Sequence, residues 1–523
     1  MAFSERLDRL HRQGVTHLLK GGLKGLEKES LRLGSEGQIA TTPHPKSLGS
    51  ALTHPLITTD YSEALVELIT PAMPTAEEAL KFLGEIHRFV YSHLGDELLL
   101  ATSMPIGLQG DESIPIARYG TSNIGMMKHI YRRGLSYRTG RTMQTIAGLH
   151  FNYSLNEAIW PILHEIETSN LPIIDYISDA YFGVVRNVHR YGWLLIYLFG
   201  NSPAVSRSFF SGREALTNRF THLDADTLYW PNATSLRMSD IGYRNDSQTT
   251  LDISFNGVDA YIESLEAAIN QPYPPYEAIG IKVDGSYRQL NGHILQIENE
   301  YYSPVRPKQV ALSGEKPTIA LKKRGVRYLE LRAVDLMATA PAGVTLIQMQ
   351  FLEVFVLWCF LTQSPPMSIK EKNECNRNSL SVACCARSPH FVLSRHGRLE
   401  VINDWSLSIL SEMLTISDLM DEGDPLKSFR RAVEAQLPLA ADATLTPSQA
   451  VLKHLKETGQ TISEYALSLS NQHRKYWLKE PLDEPMRDRF EKTVKESLVR
   501  QAKLEAHPEM PFDDFLKAYW LQK

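Results

Sequence analysis

Apolar and polar residues alternate in several short stretches of the chain. This alternation predicts β-strands that have one apolar face and one polar face. Residues 26–40 alternate on both sides of a Ser-Glu-Gly turn, so they predict a β-hairpin. Further alternating or β-rich stretches are 64–70, 146–155, 249–255, 279–283, 293–302 and 327–333.

Other segments repeat their apolar residues every three or four positions, as amphipathic helices do. The predicted helices include roughly the first 20 residues, 76–93, 174–197 and 259–270. The predicted strands lie far apart and follow no regular strand–helix–strand rhythm. This spacing favours an α+β fold built around a mainly antiparallel sheet.

The chain changes character after about residue 345. The apolar stretch 345–362 is interrupted by Gln348, Gln350 and Glu353, so it predicts a buried helix rather than a membrane span, which needs ~20 apolar residues. We expect one unit over residues 1–523, with a catalytic sheet core at about 20–345 and a mostly helical region at about 346–523. The pattern leaves open whether the helical region wraps the sheet or stands apart.

Composition and charge narrow the class of protein. The 523 residues carry 55 basic and 60 acidic side chains, a net charge of −5, which argues against general nucleic-acid binding. Four cysteines without a CxxC pair support neither a disulfide scaffold nor a structural zinc site. The N-terminus is charged from Glu5 onward and has no apolar core typical of a signal peptide. We therefore expect a cytoplasmic protein that binds neither nucleic acid nor membrane. We also expect a monomer, although none of these features determines the oligomeric state.

Familiar catalytic motifs are missing from the sequence, but carboxylates occur inside predicted strands. No Walker-type loop, Rossmann turn, GxSxG elbow or HExxH helix is present. Glu27 and Glu29 are two residues apart, so on a strand they share a face about 6.6 Å apart. Such a pair suits Mg²⁺, which prefers oxygen ligands. The alternative is two exposed acids on a hairpin.

A second acidic segment contains Asp60 and Glu67. On a strand, Glu67 shares its face with Leu65 and Ile69, where an unpaired carboxylate is costly unless it binds a partner or a metal. The alternative places Glu63 and Glu67 on an ordinary helix.

Two further strands carry polar residues on one face. His150 alternates with aromatic residues in one of them, and a structural histidine is the alternative. In the other, Glu330 and Arg332 share a face, as either a metal–phosphate pair or a cross-strand salt bridge. Several oxygen-donor segments together predict a multi-Mg²⁺ site for phosphoryl transfer in a sheet-lined cavity, with the substrate left open.

The segments that carry these residues resemble the proteobacterial type of glutamate–cysteine ligase. The similarity runs in order from about residue 20 to about 345, is most specific over 47–71, and fades past about 365. It rests on the segments GLEKESLRL, TPHPKSLGSALTHPLITTDYSEALVELITP, YGTSNIGMMKHIYRRGL, MQTIAGLHFNYSL, YWPNATSLRMSDIGYRNDSQ, LQIENEYYSPVRPK and RGVRYLELRAVD.

The resemblance implies a fold and a reaction. The fold is a curved, mainly antiparallel sheet that forms a funnel, as in glutamine synthetase, surrounded by helices. The reaction is the ATP-dependent joining of the L-glutamate γ-carboxylate to the amine of L-cysteine through a γ-glutamyl phosphate, the first step of glutathione synthesis. Two or three Mg²⁺ ions, with Mn²⁺ as an alternative, and feedback inhibition by glutathione are also implied.

The resemblance also implies site residues. The metal ligands are Glu27, Glu29, Asp60, Glu67, His150 and Glu330. The cysteine pocket is lined by Tyr61, Tyr131, Leu135, Gln144, Arg237, Tyr243 and Tyr302, with Arg237 binding a substrate carboxylate. Candidates for ATP are Arg132, Arg332, Asn299 and Lys308, and the candidate catalytic residues are Arg332 and Arg237.

Three rivals stay open at this level. They are a ligase of the same fold that uses another amine, a metal-dependent phosphohydrolase and a non-catalytic binding protein. A phosphohydrolase would leave Arg237 and the tyrosines unexplained, and the intact set of candidate ligands argues against loss of activity.

Overall fold

A seven-stranded antiparallel sheet forms the centre of the molecule in the computed structural model, which describes residues 4–242, 246–507 and 510–522. Its strand order is β11-β12-β5-β1-β3-β2, and β4 pairs with the far end of β1. The strands of the chain are β1 (Leu23–Leu33), β2 (Ile57–Thr59), β3 (Leu65–Ile69), β4 (Leu98–Leu99), β5 (Leu149–Ser154), β6 (Ala204–Ser206), β7 (Thr221–His222), β8 (Thr227–Tyr229), β9 (Lys282–Val283), β10 (Ser286–Tyr287), β11 (Val305–Lys308), β12 (Tyr328–Val334), β13 (Val392–Arg395) and β14 (Arg398–Val401).

Helices surround this sheet, so the predicted mixture of helices and antiparallel strands is confirmed. They are α1 (Ser4–Arg12), α2 (Ala76–Tyr91), α3 (Asn123–Thr139), α4 (Ile159–Ile166), α5 (Ile173–Tyr191), α6 (Trp193–Phe199), α7 (Val258–Asn270), α8 (Pro274–Glu277), α9 (Pro317–Arg324), α10 (Leu346–Leu361), α11 (Ile369–Cys385), α12 (Ile402–Met420), α13 (Ser428–Glu434), α14 (Leu437–Ala441), α15 (Pro447–Thr458), α16 (Ile462–Lys479), α17 (Glu484–Ala506) and α18 (Phe512–Trp520).

The predicted strands at 64–70, 146–155 and 327–333 are present as β3, β5 and β12, but two others are wrong. Residues 249–255 form a short 3₁₀ turn followed by irregular chain, in which Phe255 stacks on His189 with ring centroids 4.1 Å apart. Residues 293–302 are also irregular, apart from a short 3₁₀ turn at Glu298–Glu300. Their acids turn inward: Glu298 accepts a hydrogen bond from Thr318, and Glu300 pairs with Arg138 at 3.2 Å. The alternation in these two segments therefore reflects side chains that are buried from irregular chain, and it does not indicate a strand.

The apolar segment near residue 350 is a buried helix, as predicted. Helix α10 begins with a capping box in which Thr345 and Gln348 satisfy each other's backbone N–H groups. Its single acid, Glu353, pairs with Lys24 of β1 at 2.9 Å. No helix in the described ranges is both long and apolar enough to cross a membrane.

The part of the chain after residue 345 is almost entirely helical and packs against the rest. Besides helices α10–α18 it contains one hairpin, β13–β14. Helices α16 and α17 lie against α2, and Phe490 and Val494 of α17 are buried there while Leu498 stays partly exposed. Helix α17 thus buries a short apolar stripe that ends before Leu498.

The two faces of β1 differ sharply in chemistry. Glu27 and Glu29 project from one face, while Lys28 projects into the packing against α2 on the other. Lys28 is 3% exposed, and its Nζ lies 2.9 Å from Nε2 of His87. Burial lowers the pKa of Lys28 to about 7. The second histidine near it, His473, has its pKa lowered to about 4 by burial and by Lys28.

A pH dependence of stability follows from this buried lysine. The unfolded chain binds the Lys28 proton up to a pH near 10.5, but the folded chain releases it near 7. Between those values the unfolded state holds more protons, so this group's contribution to stability rises with pH. We expect Lys28→Met to be most favourable relative to wild type at or below pH 7, with the difference shrinking towards pH 10. Thermal unfolding midpoints of both proteins across this range measure the effect, and parallel curves would contradict it.

Candidate active site

The register of four adjacent strands gathers polar side chains on one face of the sheet. Glu27 on β1 lies opposite His150 on β5, and Glu29 lies opposite Glu67 on β3. On the other side of β5, Asn152 lies opposite Glu330 on β12. Side chains directly opposite in an antiparallel pair share a face. Segments more than 300 residues apart in sequence thus form one continuous polar surface.

Glu27 is bound by two side chains from β5. His150 Nδ1 lies 3.0 Å from one oxygen of Glu27, and Asn152 Nδ2 donates to the other at 2.9 Å. Burial and the charge of Glu330 tend to raise the pKa of Glu27, but the hydrogen bond and charge of His150 outweigh them and lower it. One ligand atom from each of Glu27, His150 and Glu330 lies within 4.8 Å of the others, a spacing suited to one metal ion.

Three cations surround Glu330 at one end of this surface. Lys308 Nζ lies 3.1 Å from one carboxylate oxygen, while Arg332 and Arg306 lie 3.2 and 3.9 Å from the other. Burial alone would raise the pKa of Glu330, but these charges, together with His150, hold it well below its usual range. Glu330 therefore stays ionised.

The opposite end of the surface has excess negative charge. Glu29 accepts a hydrogen bond from the backbone N–H of Gly148 at 2.7 Å. Burial and the charge of Asp60 raise its pKa despite nearby His150 and arginines. Burial and the four carboxylates of Glu27, Asp60, Glu29 and Glu330 together raise the pKa of Glu67 well above its usual range.

This donor set fits hard divalent cations such as Mg²⁺. Five carboxylates and one imidazole converge, and hard divalent cations prefer such oxygen-rich sites. The raised pKa values of Glu29 and Glu67 mark a site in which the protein's own cations do not neutralise the acids. All six predicted ligands lie in this cluster, with Asp60 placed there by its charge interactions with Glu29 and Glu67.

Arg237 lies flat over the backbone at the Glu29 end. It is 4% exposed, and its guanidinium donates to the carbonyl of Arg332 at 2.8 Å. Gly148 permits this approach, because a side chain there would overlap the guanidinium. On its other side, the buried carboxylate of Asp335 lies 3.8 Å from Arg237 Nη1. Two serines hold that carboxylate: Ser202 donates at 2.6 Å and Ser235 at 2.9 Å.

Several of the predicted pocket residues line one small cavity, of about 30 Å³, beside the edge of the sheet. Arg306 and Gln248 also contribute to it. Its volume holds only one or two waters, so a substrate needs these side chains to move apart. The predicted residues that line it are Tyr131, Leu135, Gln144, Asn299 and Tyr302.

Other predicted residues lie elsewhere. Tyr61 is fully buried beside α3 and does not line this cavity. Arg132 donates from Nε to the Asp60 carbonyl and stacks 4.7 Å from the ring centre of Tyr119, so it lies far along the surface from Lys308. Arg237 lines a larger cavity next to the small one. Tyr243 lies outside the described residues.

The residue pattern did not assign roles to Arg306, Asp335, Gly148 and Gln248. Arg306 shares a strand face with Lys308, so their two-residue spacing could have revealed it. Asp335 directly follows the Glu330–Arg332 strand, a signal of the same kind. No local pattern marks Gly148 or Gln248, because their partners come from distant segments.

Comparisons with known proteins agree on one family. The family model described as glutamate–cysteine ligase matches residues 7–382. A glutamate–cysteine ligase of Pseudomonas putida KT2440 is 46% identical over 502 residues, 96% of this chain and 95% of the relative. One from Pseudomonas aeruginosa LESB58 is 45% identical over 516 residues, 99% of this chain and 97% of the relative.

Two solved structures are also similar to this chain. The crystal structure of a glutamate–cysteine ligase from Francisella tularensis in complex with AMP has a TM-score of 0.89 at 32% identity, covering 96% of this chain and 98% of that one. A bifunctional glutathione synthetase from Pasteurella multocida shares the fold, with a TM-score of 0.72 at 24% identity, covering 93% of this chain and 58% of that one.

Proposed function

The chain belongs to the glutamate–cysteine ligase family, and from this premise we propose that its carboxylate-lined sheet face joins L-glutamate to L-cysteine. The enzyme is an ATP-dependent carbon–nitrogen ligase. It makes γ-glutamylcysteine, ADP and phosphate, the first step of glutathione synthesis. The observation that carries the assignment is the convergence of Glu27, Glu29, Asp60, Glu67, His150 and Glu330 with Arg237 and Arg332 on one surface, in a chain nearly half identical to enzymes of this name.

The reaction proceeds in two steps. An oxygen of the glutamate γ-carboxylate attacks the γ-phosphorus of ATP, the bond to the bridging oxygen of ADP breaks, and γ-glutamyl phosphate forms. The cysteine amine then attacks the acyl carbon and loses a proton as inorganic phosphate leaves. Both steps bring anions together, so the protein must supply positive charge.

The carboxylate cluster would hold Mg²⁺, which when bound neutralises the phosphates and polarises them. Arg332, already 3.2 Å from Glu330, lies where it can donate to the transferring phosphoryl group. Lys308 and Arg306 extend the positive charge along the same edge, with Asn299 nearby. Arg132 lies beside Asp60. In our proposal it therefore offsets the negative charge at the acidic end of the surface and does not contact the phosphate that Lys308 contacts.

The small cavity provides the site for cysteine. Tyr131, Leu135, Gln144 and Tyr302 line it beside the reaction centre. Arg237, which lines the adjoining larger cavity, binds the substrate carboxylate through its fixed guanidinium. Tyr61, buried behind α3, supports this wall from the core. Tyr243 belongs to the same proposed set through the family resemblance.

Some features of this proposal go beyond the residues of the site. The sheet curves into a funnel like that of glutamine synthetase, with residues 1–523 acting as one unit. Two or three Mg²⁺ ions bind, and Mn²⁺ can replace them. The enzyme works as a cytoplasmic monomer, binds no nucleic acid or membrane, and is inhibited by glutathione. These statements rest on the family and on the small net charge of −5.

One assay tests the function. Purified protein is given Mg²⁺-ATP and L-glutamate, with and without L-cysteine, and both ADP and γ-glutamylcysteine are quantified. We expect cysteine-dependent ADP release matched one-to-one by the dipeptide. ADP release that ignores both amino acids would instead indicate a phosphohydrolase.

Asp335 is the residue that orients Arg237, so removing the negative charge of Asp335 should weaken the binding of cysteine. We expect Asp335→Asn to raise the KM for cysteine about 10-fold while kcat changes less than about 3-fold, because a charge-assisted interaction is worth roughly 1.5–3 kcal/mol. Steady-state kinetics with each substrate varied in turn measures this.

Glu353→Gln is the control, since that acid is equally buried but pairs with Lys24 outside the site. A variant whose three KM values match wild type, or one that loses kcat alone, would remove Asp335 from this role.

A further inference from the structure

The C-terminal helix α18 packs against residues that support the small cavity. The family model matches residues 7–382, so this helix lies in the part of the chain beyond that match. Leu516 of α18 is 6% exposed and forms one apolar cluster with Ile130 of α3 and with Leu290. Tyr131 and Ile297 pack against the same cluster. A helix more than 120 residues past the matched region thus contacts the surroundings of the site.

Two segments that line the small cavity meet in this cluster. On α3, Ile130 directly precedes Tyr131, which lines the cavity. The turn at Glu298–Glu300 directly follows Ile297 and lines the cavity through Asn299. We call α3 and this turn together the α3–turn wall. Among the described residues that line the cavity none belongs to α18, so the helix supports this wall without reaching the substrate site.

Buried polar groups make the α3–turn wall a single unit. Gln296 Nε2 donates to the Tyr131 carbonyl at 3.1 Å, and the Gln296 backbone N–H donates to the Glu300 carboxylate at 2.6 Å. Arg138 of α3 pairs with the same carboxylate at 3.2 Å. Gly134 permits the close approach, because a side chain there would overlap Gln296. The two segments therefore move together, and whatever holds one of them also holds the other.

Hydrogen bonds fix α18 at both of its ends. Just before the helix begins, the Met510 carbonyl accepts a hydrogen bond from Asn123 Nδ2, at the start of α3, at 2.9 Å. At the other end, Lys316 Nζ donates to the Trp520 carbonyl at 3.1 Å, and the Lys316 N–H donates to Gln522 Oε1 at 3.1 Å. Helix α18 thus lies across the α3–turn wall and is anchored on either side of it.

The volume of the small cavity makes the position of this wall decisive. At about 30 Å³ the cavity admits cysteine only when its walls move apart. A substrate site loses precision when the residues that support it are loosely packed, and a misplacement of about 1 Å is enough to weaken it. The packing of α18 therefore bears on how far the cavity opens and on which amine fits.

We propose that α18 positions the α3–turn wall and so sets the size of the cavity for cysteine, with Leu516 as the positioning residue. Leu516 acts through Ile130 and contacts no reacting group. The inference rests on the proposed function for the identity of the substrate. It gives the C-terminal part of the chain a role in selecting the amine.

The kinetic test uses Leu516→Ala. We expect the KM for cysteine to rise at least about 5-fold, while kcat and the KM values for ATP and glutamate stay within about 2-fold of wild type. The preference in kcat/KM for cysteine over S-methyl-L-cysteine, which is larger by one methylene, should fall at least about 3-fold, because a loosened wall admits the larger amine. A merely structural leucine would not change that preference.

Two further leucine variants separate positioning from a general loss of stability. Leu516→Met nearly conserves the side-chain volume and should restore the kinetics of the wild type. Leu452→Ala is the matched control, since this leucine on α15 is equally buried but belongs to a separate apolar cluster. It should leave the KM for cysteine and the preference between the two amines unchanged.

Lys316→Met loosens the same helix without opening a cavity in the core. It removes the hydrogen bond to the Trp520 carbonyl and the positive charge 5.8 Å from the centre of that ring. We expect the KM for cysteine alone to rise, at least about 3-fold. An unchanged KM for cysteine in both Leu516→Ala and Lys316→Met, or an equal rise in all three KM values, would overturn the inference.

Hydrogen exchange separates this inference from the proposed function, because it needs no substrate. In Leu516→Ala, backbone exchange in α3 and in residues 289–300 should be faster than in wild type, whereas Leu452→Ala should leave both segments unchanged. Faster exchange there supports the role of α18 even where no dipeptide is made, a result that contradicts only the ligase. Unchanged exchange in both segments would overturn the inference even in an active ligase.

Discussion

Glu67→Gln is expected to lower turnover at least about 100-fold, equal to about 2.7 kcal/mol of activation free energy, while the fold stays intact. Glu67 lies on β3 opposite Glu29, and burial together with four other carboxylates raises its pKa well above the usual range. A negative charge on Glu67 is unfavourable among the other carboxylates and becomes favourable only when a cation binds beside it. Glutamine keeps the shape of the side chain but removes the negative charge that would hold the metal.

Two measurements separate this effect from damage to the fold. In the presence of a chelator, the thermal unfolding midpoint of Glu67→Gln should be equal to or above that of wild type, because the substitution relieves repulsion with Glu29 and Asp60. Glu36→Gln, in the exposed turn after β1, is the control and should behave like wild type in both assays. Near-normal turnover of Glu67→Gln at saturating Mg²⁺ would remove Glu67 from the site.

Arg332→Met is expected to lower kcat by at least about 100-fold, with a smaller effect on the KM for cysteine. Arg332 shares a strand face with Glu330, and its guanidinium lies 3.2 Å from that carboxylate. Its positive charge stabilises the transition state most, because the γ-phosphoryl group is there being transferred between two anions. Methionine retains the packing of the side-chain stem but donates no hydrogen bond.

Single-turnover measurement of ADP formation tests this directly, because it reports the phosphoryl-transfer step without product release. The control is Arg327→Gln, five residues earlier, where an exposed arginine pairs with Glu157 away from the cluster. A rise in the KM for ATP with unchanged kcat would assign Arg332 to ground-state nucleotide binding instead.

The strands that carry the site were predictable because their periodicity is local. In β5 and β12 charged or polar side chains alternate with apolar or aromatic ones, and a strand is the structure that separates these two sets. The same alternation was misleading at 249–255 and 293–302. There Phe255 stacks on a helix histidine, and Glu298 and Glu300 find partners on helices α9 and α3, so no neighbouring strand is involved.

The candidate metal ligands could also be found from the sequence, since each belongs to β1, β3, β5 or β12 or to the loop before β3. The residues that prepare the site for substrates could not. Gly148 matters because Arg237, 89 residues later, lies across it, and Asp335 matters because Ser202 and Ser235 turn it towards the same arginine. Such roles depend on which distant segments meet.

The α+β class, the positions of the main strands and the acidic face that they carry could be derived from the order of residues, because secondary structure and face follow from spacing along the chain. The motifs also indicated the family. Three features emerged only from the three-dimensional arrangement: which acids are paired with cations, which end of the surface stays negative, and the second cavity that α11 closes beside Tyr302. Electrostatics and cavity shape depend on distances between residues hundreds of positions apart, and no local pattern encodes those distances.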